Sequence, residues 1–136
     1  MRQLAGAVGM ELIVDTDGED EWQQAVARLE DEPEGGARCD ACFLARLRHA
    51  AQKARELGYE VFTTTLTISP HKPLERVAPA GEQAAAEVGV RFLAVDFKKH
   101  DGFRRSVELS RQHGLYRQRY CGCVYSMREA GESPTT

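Results

Sequence analysis

The stretch from Asp40 to Leu66 constrains the fold more than any other part of the chain. Apolar residues Phe43, Leu47, Ala50, Ala54 and Leu57 step by 4, 3, 4 and 3, the repeat of an amphipathic helix, and Gly58 closes it. Tyr59 to Leu66 follows at once, rich in β-branched and aromatic residues (Val61, Phe62, Thr63, Thr64, Thr65), the composition of a strand. A long helix that feeds a strand directly is part of an α/β unit, and the rest of the chain repeats the alternation.

Leu12, Ile13 and Val14 form a short apolar run suited to a buried strand, after residues that resemble the tail of a helix. Asp17 to Asp20 supply an acidic helix start, and Trp22, Val26 and Leu29 recur at helical spacing until Asp31-Glu32-Pro33 stops them. A Gly-rich connector, Glu34 to Ala37, leads into the long helix. Beyond the Thr-rich strand, Ser69-Pro70 reads as a helix start, with an interruption at Pro79 and a second helical piece, Glu82 to Val88, ended by Gly89. Val90 to Phe97 reads as a third strand, Asp101 to His113 as a helix stopped by Gly114, and Gly131 to Thr136 as a frayed tail. The expected architecture is one α/β domain over residues 1–136, with a mainly parallel, three-stranded sheet flanked by helices. Ligands in such sheets bind at the carboxyl ends of the strands, which points to Thr63 to His71 and Asp96 to Lys99. A helix starting at Pro70 would also offer its N–H groups to an anion beside His71 and Lys72.

Composition narrows the class. The 136 residues are 42% hydrophobic and 29% charged, enough for one core, and no apolar run is long enough to span a bilayer. The N-terminus has no apolar stretch of the secretory kind, so the expected compartment is the cytoplasm. Thiols stay reduced there, and Cys39, Cys42, Cys121 and Cys123 read as metal-binding or redox groups rather than structural staples. Charge is uneven: residues 1–60 carry 7 Lys/Arg against 13 Asp/Glu, whereas residues 91–119 carry 8 against 3. That basic stretch suits solvated helix faces as well as a phosphate-binding surface, and charge by itself does not choose.

Cys39 and Cys42 have CxxC spacing at the entry of the long helix, on nearly one face, so both sulfurs can reach one ion. The helix N-terminus and neighbouring Arg38 suit a thiolate, the form that binds metal. A thioredoxin-like motif should follow a strand, and here a Gly-rich loop precedes the pair, so metal ligation is preferred. Cys121-Gly122-Cys123 is a different device. Its thiols are near enough for a strained, easily reduced disulfide, and glycine supplies the backbone angles such a ring needs. The rival reading pools all four cysteines in one tetrahedral zinc site.

The strings Glu32-Pro33-Glu34 with Arg38-Cys39-xx-Cys42-Phe43, Phe62-Thr63-Thr64-Thr65-Leu66, Ser69-Pro70-His71-Lys72, Asp96-Phe97-Lys98-Lys99, Arg105-Ser106 and Tyr116-Arg117-Gln118-x-Tyr120-Cys121-Gly122-Cys123, in this order, resemble the cobalamin-independent epoxyqueuosine reductases, the QueH family. The resemblance runs from about Asp15 to Ser126. It implies an adenine nucleotide alpha hydrolase-like, three-layer fold. The implied activity is the last step of queuosine biosynthesis, a two-electron removal of the epoxide oxygen of epoxyqueuosine at the tRNA anticodon wobble position. It also implies a 4Fe-4S cluster with Cys39 and Cys42 among its ligands, a redox-active pair at Cys121 and Cys123, tRNA as partner and a separate electron donor. Thr64, Ser69, His71, Lys72, Lys98, Lys99, Arg105 and Arg117 become the expected substrate contacts, with aromatic neighbours Phe97, Phe103, Tyr116 and Tyr120 available for stacking on bases. Family members begin with a strand and an adjacent Cys-Cys segment that completes the cluster, and this sequence has no cysteine before Cys39. The expectation is therefore a chain short of its first strand and helix. A zinc-stabilised RNA-binding domain without catalysis, or an inactive remnant, are the alternatives.

Overall fold

The computed structural model describes residues 1–131, and the expected frayed tail from Gly131 onward lies outside them apart from Gly131 itself. The chain divides into two compact units, Asp15–Ser106 and a second formed by Met1–Val14 with the segment from Val107 onward.

The larger unit is built on α3. Helices α1 (Arg2–Val8) and α2 (Glu19–Val26) precede it, and α3 itself spans Ala37–Glu56. It starts three residues before Asp40, because Gly36 takes the N-cap position and its carbonyl accepts from Cys39 and Asp40 N–H at 3.1 and 3.2 Å. It ends as the sequence implies. Gly58 N–H donates to the Arg55 carbonyl and Tyr59 N–H to the Ala54 carbonyl, the paired bonds of a Schellman motif. The buried face carries Phe43, Leu47 and Ala54 of the predicted stripe; Ala51 is buried beside half-buried Ala50, and Leu57, the last residue of that stripe, is exposed where the helix ends.

That face meets α4 (Leu74–Val88) and the short strand β1 (Val61–Phe62), and a second short strand, β2 (Arg91–Phe92), lies against α4. The strands pair in parallel, with Val61 opposite Arg91 and Phe62 opposite Phe92, and α4 is the crossover between them. Phe62 and Phe92 pack with ring centroids 5.3 Å apart in a tilted arrangement. Val77, Ala84 and Ala85 complete the core from α4. Small residues let this helix lie close: a Cβ placed on Gly81 would sit 2.4 Å from the Phe92 ring. Trp22 and Val26 of α2 are buried on another side of α3.

Several expectations are corrected. Among the described residues the sheet has two strands, not three: Leu12 to Val14 lies in no strand, and those side chains are exposed. The two remaining strands are shorter than predicted because threonine hydroxyls take over the pairing. Thr63 Oγ1 donates to the Leu93 carbonyl at 2.7 Å and Thr67 Oγ1 to the Val95 carbonyl at 2.6 Å, in place of backbone donors. No helix starts at Pro70. Ser69 Oγ accepts the His71 N–H at 3.2 Å in a local turn, after a 3-10 turn at Leu66–Ile68, and α4 begins after Pro73. The anion site expected at Pro70 therefore has no helix behind it. Pro79 does not interrupt α4, which runs through it as one helix whose packed residues lie on the opposite, buried face.

The smaller unit contains α1, the end of α5 (Gly102–Gln112) and α6 (Val124–Glu129). Gln3 Nε2 donates to the His113 carbonyl at 2.7 Å, which joins the first segment to the last. No helix among the described residues is long and apolar enough to cross a membrane.

Replacing Gly81 with alanine forces a methyl into the Phe92 ring and is expected to cost about 1–3 kcal/mol, read as a lower urea midpoint at unchanged slope. Gly6→Ala in α1, where a Cβ meets nothing within 4 Å, should be neutral or stabilising. Equal midpoints for Gly81→Ala and wild type would contradict the close approach of α4.

Candidate functional site

The CxxC pair occupies the first two turns of α3. Pro33 accepts the Gly36 N–H at 3.0 Å, so the connector closes into a turn that points the backbone N–H of Gly35 at Cys39 Sγ, 3.2 Å away. One turn on, Cys42 Sγ accepts from the indole Nε1 of Trp22 at 3.1 Å. Both sulfurs are half-buried thiols, and each receives an N–H from a different segment. Arg38 is buried and donates through Nη1 to the carbonyls of Glu30 and Glu32, so its guanidinium braces the loop that carries Gly35. Arg76 of α4 reaches Asp40 Oδ1 at 2.6 Å and ties the same turn to the crossover helix. The donor set suits a thiolate-loving ion or cluster. It amounts to two sulfurs, and no group of three or more His, Cys, Asp or Glu side chains that could hold a metal occurs among the described residues.

At the carboxyl ends of β1 and β2, two loops are knitted together around Thr67, which is 1% exposed. Besides donating to Val95, its hydroxyl accepts the Phe97 N–H at 3.2 Å. Lys98 Nζ donates to the carbonyls of Thr67 and Lys72 at 2.7 and 3.2 Å and stands 3.2 Å from Asp96 Oδ1. Of the expected substrate contacts, Thr64, Ser69, His71, Lys72, Lys98 and Lys99 thus lie on these joined loops. Thr64 Oγ1 accepts the Leu66 N–H, Ser69 holds its local turn, and His71 and Lys99 are exposed. Lys98 uses its three donors inside the loop pair. The backbone N–H of Lys98, followed by its ammonium, holds Asp96 below the ordinary carboxylate range. Asp96 is therefore an ionised acceptor near neutral pH and a poor proton donor. Arg105 is exposed on α5.

In the smaller unit, Cys123 is the N-cap of α6, and its Sγ accepts from the backbone N–H of buried Ser126 at 3.4 Å. Gly122 has φ 114°, a region closed to side chains, and a Cβ there would meet Gln118 Nε2 at 2.9 Å. Gln118 Nε2 in turn donates to the Tyr120 carbonyl at 3.1 Å. The backbone around Cys121 and Cys123 is thus a folded turn that requires its glycine. Arg117 is exposed just before it.

Sequence reasoning missed three contributors. Trp22 reads as core by periodicity, and only the fold brings it to Cys42. Thr67 lies just past the strand-like run Tyr59 to Leu66, inside the stretch Thr63 to His71 expected at the strand ends, with nothing local to mark it as the hub. The third is Asp15, whose carboxylate meets Lys53 Nζ at 2.9 Å and His49 Nε2 at 3.2 Å beside a cavity of about 270 Å³. The Asp17 N–H, then Lys53 and His49, lower Asp15 to about 2. His49 is a half-buried partner in this cluster.

Asp15 fixes a pH dependence. Its folded value lies below the ordinary 3.8, so it stabilises the fold fully above about pH 4 and that contribution is lost as pH falls through about 2. Glu87, lowered to about 2 by Arg48 and then Gln83, acts in the same sense. Urea midpoints measured from pH 5 to 2 should fall more steeply for wild type than for Asp15→Asn, with Glu87 supplying part of the slope that remains. Parallel curves would remove Asp15 from the account.

The profile of the family described as Epoxyqueuosine reductase QueH matches residues 1–129. A Streptococcus pyogenes serotype M1 protein named Epoxyqueuosine reductase QueH is 47% identical over 111 residues, 82% of this chain and 44% of that protein. The Thermotoga maritima protein of the same name is 40% identical over 111 residues, covering 82% of this chain and 58% of its own length. A third, from Dehalococcoides mccartyi, is 36% identical over all 136 residues, 71% of its length. The chain spans about half the length of the first two. It belongs to the epoxyqueuosine reductase QueH family.

Proposed function

We propose that this chain reduces epoxyqueuosine to queuosine at the wobble position of tRNA, with Cys121 and Cys123 as the redox-active pair and Cys39 and Cys42 as two ligands of a 4Fe-4S cluster. The observation that carries the reading is family membership over residues 1–129, joined to two cysteine pairs with different surroundings. The CxxC sulfurs accept N–H bonds within a braced helix start, the setting of a ligand. The CxC lies in a glycine-dependent turn, the setting of a pair that opens and closes.

The chemistry balances on the dithiol. The epoxide loses its oxygen as water and its two carbons become a double bond, which takes two electrons and two protons. Oxidation of Cys121 and Cys123 to a disulfide releases two of each. An external donor must then return the pair to its reduced state, and a cluster at Cys39 and Cys42 would supply that path one electron at a time. In this reading the β1–α4–β2 unit belongs to a three-layer, adenine nucleotide alpha hydrolase-like sheet. Thr64, Ser69, His71 and Lys72 contact the modified nucleoside, while Lys99, Arg105 and Arg117 meet tRNA phosphates. Lys98, engaged with Thr67, Lys72 and Asp96, holds the loops in place.

The test is nucleoside analysis of epoxyqueuosine-containing tRNA after anaerobic incubation with iron- and sulfide-reconstituted protein and a chemical reductant. Queuosine should accumulate with wild type and fall below detection with Cys121→Ser or Cys123→Ser. Full turnover by the double variant would refute the dithiol role. Protein that holds one zinc, no iron or sulfide, and binds tRNA without turnover would favour the zinc-stabilised RNA-binding domain. Phosphate contacts are checked separately: K99A with R105A should weaken tRNA binding and reduce the salt slope by roughly two ion equivalents.

A further inference from the structure

Trp22 is the chain's one tryptophan and is 5% exposed. A buried indole N–H needs an acceptor, and here the acceptor is a sulfur of the CxxC pair, Cys42 Sγ at 3.1 Å. The ring is held on its face as well, since Arg46, one turn beyond Cys42 on α3, places its guanidinium carbon 5.1 Å from the Trp22 ring centroid. α2 and α3 are therefore joined at Cys42 by a side-chain donor, while Cys39 is served by the backbone donor of Gly35. The two sulfurs differ in a way that matters for experiment: substitution can delete the indole donor and leaves the backbone donor in place.

We infer that Trp22 is a positioning and tuning residue for Cys42. Its N–H fixes the direction of the sulfur. In the ligand role proposed above, on which this inference rests, the same bond stabilises the added negative charge of the reduced cluster and so raises its reduction potential. Arg46 keeps the indole edge turned to the sulfur. A core tryptophan with an incidental acceptor would share the packing but not the effect on potential.

Two measurements test this, and the first needs no cluster. In ¹⁵N-labelled protein the single indole N–H gives one cross-peak. Cys42→Ala should move that peak and speed exchange of the indole proton about fivefold to tenfold, the equivalent of one hydrogen bond, while Cys39→Ala leaves it near the wild-type position. An unmoved peak in Cys42→Ala overturns the positioning. The second is a potentiometric titration of the anaerobically reconstituted protein, in which Trp22→Phe keeps the bulk of the ring, removes the donor and should shift the midpoint to a more negative potential. An unchanged midpoint overturns the tuning. If no cluster assembles on wild type, the ligand reading and the tuning fail together, and the indole peak still decides the positioning. The indole arm uses only substitutions at half-buried cysteines, so it reads out whether or not Trp22→Phe folds.

Discussion

The packing of α3 against α4 is the contact on which the rest of the larger unit depends. It is made by small residues as much as by large ones, with Ala51 and Ala84 0% exposed, and on the strand side of α4 Gly81 admits the Phe92 ring where any side chain would block it. Close approach of the two helices brings the ends of β1 and β2 together and lets Arg76 reach the turn that starts α3. The same helix therefore carries the core on one face and the CxxC pair at its N-terminal end. The position of the sulfurs is inherited from that packing, since Cys39 lies against the core and Phe43, next to Cys42, is part of it.

Much of this was legible because periodicity and punctuation agree. The stripe from Phe43 to Leu57 with Gly58 marked α3, and Gly89 and Gly114 marked the ends of their helices. What misled was chemistry with two local uses. Ser69-Pro70 can cap a helix, yet here Ser69 holds a turn and the helix waits for Pro73. Threonines favour strands, yet Thr63 and Thr67 bond through their hydroxyls to carbonyls across the gap and end the backbone ladder early. Pro79 suggested a break, and the buried face of α4, with Val77, Ala84 and Ala85, carries the helix past it.

The cysteines show the same division. Their spacing distinguishes CxxC from CxC, and the resemblance to a family adds roles. Spacing does not reveal that Trp22, twenty residues before Cys42 in sequence, donates to that sulfur, or that Arg38 braces the preceding loop. Such partners are set by tertiary packing. A lone buried tryptophan beside a cysteine-bearing helix was the one available hint, because its N–H had to end somewhere polar.

The central claim is that the two cysteine pairs do different work, one holding and one exchanging electrons. Differential alkylation with mass spectrometry, after a single turnover on epoxyqueuosine-containing tRNA without added reductant, tests it most directly. The account predicts a disulfide between Cys121 and Cys123, with Cys39 and Cys42 recovered as thiols once the cluster is removed by chelator. A disulfide between Cys39 and Cys42, with Cys121 and Cys123 still reduced after queuosine has formed, would contradict it.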